Sequence, residues 1–106
     1  MSFLNSSEMK KPTHKLRVPD DVAELVRTMH PKLKKKIKVS LQMILLSPYI
    51  GKALKDELEG LRSFRLSRFR IVYRISTKKQ IEIIAVGPRE RIYMETLRLL
   101  SKEKRS

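Results

Sequence analysis

Two stretches of this 106-residue chain carry side chains that could do chemistry together. The first is "VGPRERIY", residues 86–93, where an apolar run stops at Gly87-Pro88 and Arg89, Arg91 and Tyr93 follow. The second is "LRSFRLSRFRIVYRIS", residues 61–76, which holds Arg62, Arg65, Arg68, Arg70 and Arg74, with no acid anywhere in residues 61–81. Arginine offers a planar fork that grips phosphate through two hydrogen bonds, whereas lysine supplies a point charge. One or two strand arginines can snorkel around a core. Arg65, Arg68, Arg70, Arg74 and Arg89 gathered on one patch would repel one another unless a polyanion sat among them. The pattern points to phosphate chemistry.

The usual equipment for cleaving a phosphate ester is missing. Phosphate-cleaving metal sites need convergent carboxylates, and Asp56, Glu57 and Glu59 have the spacing of an exposed turn. His14 borders the N-terminal tail and His30 sits at a helix–helix turn, so neither makes an acid–base pair. The chain has no cysteine and no glycine-rich phosphate loop. Neither metal nor cofactor is expected. A metal-free route to RNA cleavage remains, in which the RNA's own 2′-hydroxyl attacks the adjacent phosphate. Protein cations then neutralise the pentacovalent transition state. Arginines suit that task, and Tyr93 could stack on a base or carry a proton.

Charge supports a polyanionic partner across the whole chain. Twenty-five Lys and Arg against 11 Asp and Glu leave a formal charge of +14. The two cations are unevenly spread: nine of the 13 basic residues in 61–106 are arginine, against two of 12 in residues 1–60. The length suits one domain, residues 13–106, behind a flexible tail at 1–12. No apolar run approaches the ~20 residues of a membrane span, and the absence of cysteine fits a reducing compartment. The expectation is a soluble cytoplasmic protein without a membrane partner.

The elements that must position these side chains follow from periodicity. "THKLRV" alternates as a short first strand. In "DDVAELVRTM", Val22, Leu25, Val26 and Met29 form one helical stripe, with Asp21 and Glu24 spaced as a capping box. A second helix follows from Pro31 to Pro48, with Leu33, Ile37, Leu41 and Ile44 inward and its lysines on a solvated face. "YIGKALKDELEGL" reads as a linker. Two strands with a tight turn near Ser67 come next, Phe69, Ile71, Tyr73 and Ile75 pointing one way and Arg68, Arg70, Val72 and Arg74 the other. "QIEIIAV" is a buried strand and "RIYMETLRLLSKEK" a helix. The fold class is α+β: an N-terminal strand and a helical hairpin packed on a small antiparallel sheet, with a short C-terminal helix. The hairpin covers one face and the arginines occupy the other.

"PYIGKALKDELEGLRSFRLSRFRIVYRI" followed by "IEIIAVGPRERIY" resembles the RelE/ParE superfamily, the toxins of type II toxin–antitoxin pairs. The resemblance rests on the "RIVY" strand at 70–73 and on Gly87, Arg89 and Tyr93, in this order after a basic helical hairpin. In its RelE branch it implies cleavage of messenger RNA on the ribosome and a cognate antitoxin that wraps and blocks the toxin. Position by position, it implies that Arg70 contacts the scissile phosphate, Arg89 stabilises the transition state and Tyr93 stacks on RNA or assists proton transfer. Arg65 stands where the family has a strand lysine. Lys52, Lys55, Arg62, Arg68 and Arg91 would be further RNA contacts. The sequence departs from the family pattern at Ser63, which replaces a second lysine, at Pro88, and in the short spacing between Arg89 and Tyr93. Two rival readings stand beside the nuclease: a ParE-like toxin that inhibits DNA gyrase without cutting RNA, and a non-catalytic basic RNA-binding protein.

Overall fold

Prolines punctuate the first half of the chain, and the computed structural model, which describes residues 13–105, shows what each one starts. The tail expected at residues 1–12 lies outside the described residues. Strand β1 (Lys15–Arg17) ends before Pro19, which takes the N-cap position of helix α1 (Asp20–Arg27). The expected capping box does not form, because the helix begins two residues early, with Pro19 rather than Asp21 at the N-cap. Asp21 instead accepts a hydrogen bond from the backbone N–H of Val22 at 2.9 Å, and Glu24 pairs with Arg27 at 2.7 Å. Two aspartates in the first turn still complement the helix dipole. Pro31 opens helix α2 (Pro31–Leu46), and the His30 ring caps it by accepting from the Lys32 N–H at 3.1 Å. His30 is thus a structural residue.

Pro48 ends α2 in a single 3₁₀ turn, and the stretch read as a linker contains a strand, β2 (Lys52–Ala53). It pairs with β3 (Arg62–Leu66), which turns at Ser67-Arg68 into β4 (Phe69–Ile75). Strand β5 (Gln80–Pro88) runs straight into helix α3 (Arg89–Arg105), which is longer than the short C-terminal helix expected. The sheet order is β1-β5-β4-β3-β2. It is mixed rather than purely antiparallel, since β1 lies parallel to β5 at one edge and the other pairs are antiparallel. No described helix is long and apolar enough to cross a membrane.

Each face of the sheet packs its own apolar layer. The helical hairpin puts Val22, Ile37 and Ile44 on Leu66, Ile71, Tyr73, Ile81, Ile83 and Val86. On the opposite face α3 brings Ile92 onto Leu61, Val72 and Ala85, with Leu99 and Leu100 alongside. The arginine face anticipated from the sequence is therefore largely roofed by α3, whose apolar stripe needs a sheet to bury it. The arginines are left at one end.

A bulge in β5 sets the face that its last residues present. Val72 pairs with Ala85 but Tyr73 pairs with Ile83, so Ile84 is the extra residue. Both Ile84 and Ala85 then join the layer beneath α3, and side-chain alternation restarts in the opposite phase. Val86 turns into the core and Gly87 comes to stand opposite Arg70, on its face.

Candidate functional site

The site lies where the β3–β4 turn meets the junction of β5 and α3. Ser67 takes a left-handed conformation, φ 53°, so the turn is tight and Arg65 stands directly opposite Arg70. On its other side Arg70 is paired with Gly87. Two residues later the Arg89 N–H donates to the Arg68 carbonyl at 2.9 Å, stitching the start of α3 to the turn. Arg65, Arg68, Arg70 and Arg89 are thereby gathered at one end of the sheet. Arg65, Arg68 and Arg89 are exposed, and Arg70 is half-buried.

Tyr93 follows Arg89 by one helical turn and shares its side of α3. Its hydroxyl donates to Ser63 Oγ at 3.3 Å, and Arg70 Nη1 donates to the same oxygen, also at 3.3 Å. The short spacing between Arg89 and Tyr93 thus still turns the phenol towards Arg70. Gly87 lets α3 sit close at this corner, because a Cβ there would lie 3.2 Å from Ile92 Cδ1. Lys52 is the register partner of Ser63 on the β2 side and shares its face at the rim.

Electrostatically the corner is uncompensated. Among the described residues the ion pairs are Arg17 and Arg74 with Glu82, Arg27 with Glu24, and Arg98 with Glu95. None involves Arg65, Arg68, Arg70 or Arg89. Arg70 Nε is buried and has no hydrogen-bond partner among the described residues. A buried N–H of this kind carries an unmet desolvation cost that an incoming anion would offset. Among the described residues no group of three or more His, Asp or Glu could hold a metal ion.

Other expected contacts are placed elsewhere. Arg62 belongs to the opposite face, where its guanidinium donates to the Gly51 and Tyr49 carbonyls at 2.9 and 3.1 Å and lies over the Tyr49 ring. Arg74 is on the expected face but four residues along β4, and its Nε bonds Glu82 at 2.8 Å. Arg68 sits in the turn rather than on the strand. Arg91 lines a groove of about 440 Å³ between α1 and α3, beside Asp21 and Glu95. Lys55 is exposed after β2. Ser63, marked in the sequence only as the residue that replaces a second lysine of the family pattern, joins the site through its hydroxyl, a part that a lone serine does not announce.

The model of the family described as "ParE toxin of type II toxin-antitoxin system, parDE" matches residues 16–93. Among solved structures, the RelBE2 toxin–antitoxin complex from Mycobacterium tuberculosis is 23% identical, with a TM-score of 0.64, and the match covers 74% of this chain and 100% of that one. A mutant of E. coli toxin RelE in the free state is 21% identical, with a TM-score of 0.66, covering 80% and 95% of the two chains. The archaeal RelE–RelB complex from Pyrococcus horikoshii is 20% identical at a TM-score of 0.60, covering 74% and 98%. These likenesses are of fold. No curated protein matches the sequence.

Proposed function

The chain belongs to the RelE/ParE superfamily, the toxins of type II toxin–antitoxin systems, and from that premise we propose that it is a metal-independent endoribonuclease that cleaves messenger RNA on the ribosome. The observation that carries the reading is Arg70. Among the described residues its Nε–H is buried without a partner, its cross-strand neighbour is Arg65, and no acid compensates the pair. A phosphate diester would satisfy all of these groups at once.

In the proposed reaction the 2′-oxygen forms a bond to phosphorus and the bond from phosphorus to the 5′-oxygen breaks. A cyclic phosphate and a 5′-hydroxyl result. One proton leaves the attacking hydroxyl and one reaches the departing oxygen, so no other reactant is needed. Arg70 anchors the phosphate, and Arg65 and Arg89 offset the charge that builds on its oxygens in the transition state. Tyr93 stacks on a base or carries one of the protons. Arg68 and Lys52 supply rim contacts to the RNA backbone.

A cognate antitoxin is the expected protein partner. The M. tuberculosis relative is a toxin–antitoxin complex and the P. horikoshii one a RelE–RelB complex, and a charge of +14 favours an acidic segment as the occupant of the site.

Induced expression of the wild type and of Arg89→Ala, followed by mapping of messenger RNA 5′ ends, tests the reading. Cuts within translated codons for the wild type alone are the expected result. Growth arrest with intact messenger RNA would overturn it. The alternative is then inhibition of DNA gyrase, which the ParE-type family match favours and a supercoiling assay would detect. If neither growth nor RNA changes, both toxic activities fail and a basic RNA-binding role is left.

A further inference from the structure

We propose that Ser63 is a positioning residue, whose single hydroxyl fixes Arg70 and Tyr93 relative to each other. The inference rests on the nuclease reading for its consequence but on geometry for its existence. Ser63 is 2% exposed, and its Oγ lies 3.3 Å from both Arg70 Nη1 and the Tyr93 hydroxyl. These partners come from β4 and α3, and no hydrogen bond runs directly between them. One buried oxygen joins the two groups on which the chemistry depends.

The bond to Arg70 is diagonal. Ser63 pairs with Val72 and Arg65 with Arg70, so Arg70 reaches back two residues along β3 to bond Ser63, a span long side chains cover. Leaning that way draws its guanidinium from the one opposite, on Arg65. Because arginine can only donate, it occupies one lone pair of the serine oxygen, and the phenol donates to the other. The serine keeps a hydrogen of its own. When Tyr93 gives its proton to RNA, that hydroxyl can rotate and donate to the phenolate oxygen, so the ring need not move. A cation at this position would repel Arg70, and an apolar residue would leave a second nitrogen of the guanidinium without a partner.

Two substitutions separate hydrogen bonding from packing. Ser63→Cys keeps the shape but offers a weak acceptor, and Ser63→Thr keeps the hydroxyl. In a translating extract, Ser63→Cys should lower kcat by about 100-fold, the scale of a misplaced reacting group, with KM little changed. Ser63→Thr should recover most of that loss. Cleavage by Ser63→Cys at the wild-type rate would overturn the proposal. A second readout needs no activity. In ¹⁵N spectra of the free protein, guanidinium rotation in Arg70 should be slowed in wild type and Ser63→Thr and fast in Ser63→Cys. Identical spectra in all three would sink the positioning role. If wild type cuts no RNA while the spectra differ as expected, the nuclease reading falls and the Ser63 geometry stands. Should Ser63→Cys fail to fold, the wild type against Ser63→Thr and Tyr93→Phe supplies the spectra. Removal of the phenol should then loosen the Ser63 hydroxyl but leave Arg70 slowed, and unslowed Arg70 in the wild type itself would refute the bond.

Discussion

Arg65 and Arg70 face each other directly across the β3–β4 hairpin, two like charges in register with no acid to separate them among the described residues. A hairpin chosen for stability alone would not hold this pair, since opposed like charges destabilise a sheet. The arrangement fits a surface whose stability is completed by a bound anion.

Arg65→Gln should therefore stabilise the free protein by a few tenths of a kcal/mol at low salt. The gain should fade at high ionic strength, where the repulsion between exposed charges is screened. Thermal melts of both proteins at about 20 mM and about 500 mM salt make the comparison. The same variant should cleave RNA less well. A melting temperature that is lower than wild type at low salt would contradict the unrelieved repulsion.

Arg70→Lys keeps the charge but loses the fork and the buried Nε–H. Cleavage should fall by about 100-fold, on the scale of losing one preorganised transition-state donor. RNA binding should weaken far less. Single-turnover cleavage together with filter binding separates the two effects.

Arg74 provides the control. It shares a strand face with Arg70 but is held by Glu82, which Arg17 also approaches at 3.5 Å. Arg74→Gln should leave cleavage within about twofold of wild type and cost about 0.5 kcal/mol of stability, as partly exposed pairs do. A loss of cleavage comparable to that of Arg89→Ala would mean that the site extends along the whole strand.

Tyr73 makes a pH prediction. Its hydroxyl donates to the Pro48 carbonyl at 2.7 Å and accepts from the Gly51 N–H at 3.0 Å, within the core. Burial raises its pKa above the ordinary tyrosine value, an effect that the Gly51 bond and Arg62 partly offset. The folded protein then keeps this proton to higher pH than the unfolded chain does. Its contribution to stability is complete below about pH 10 and is lost as pH climbs past 10 through the folded value. Tyr73→Phe should cost about 1–3 kcal/mol at neutral pH by orphaning two backbone groups. It should also remove that part of the alkaline decline, which urea unfolding from pH 8 to 11 would reveal as converging stabilities.

Gly51→Ala tests the same contact from the other side. A Cβ would lie 2.7 Å from the Tyr73 hydroxyl and 3.1 Å from the Ser63 carbonyl. Destabilisation by about 1–3 kcal/mol is expected from overpacking, with some loss of cleavage because the strain falls on the strand carrying Ser63. Unchanged unfolding midpoints would show that the Pro48 turn yields freely.

Much of the scaffold was legible because its residues alternate cleanly. Phe69, Ile71, Tyr73 and Ile75 gave β4 its phase, and Ile37 and Ile44 gave α2 its inner face. Other features left no such trace. Strand β2 is two residues within a turn-rich stretch, too short to show any period. Arg68 continues the alternation of β4 in sequence, yet the tight turn at Ser67 claims it. Arg62 looks like its neighbours until register places it opposite Tyr73, on the other face. The corner formed by Arg65, Arg70, Arg89 and Tyr93 could be anticipated from residue types, whereas the hydroxyl joining Arg70 to Tyr93 is a product of packing. The bulge at Ile84 is hidden for the simplest reason: "IEIIAV" is apolar nearly throughout, so a change of phase within it leaves no mark.

That bulge also separates two kinds of sequence change. Replacing one apolar residue of β5 by another alters volume locally and leaves every later residue where it was. Deleting Ile84 would only remove the bulge, since Ala85, Val86 and Gly87 would keep their partners on β4. Deleting Val86 would instead bring Gly87 opposite Ile71, on the side of the helical hairpin. The number of β5 residues after the bulge, more than their composition, determines on which side of the sheet the chain delivers its last arginine and tyrosine.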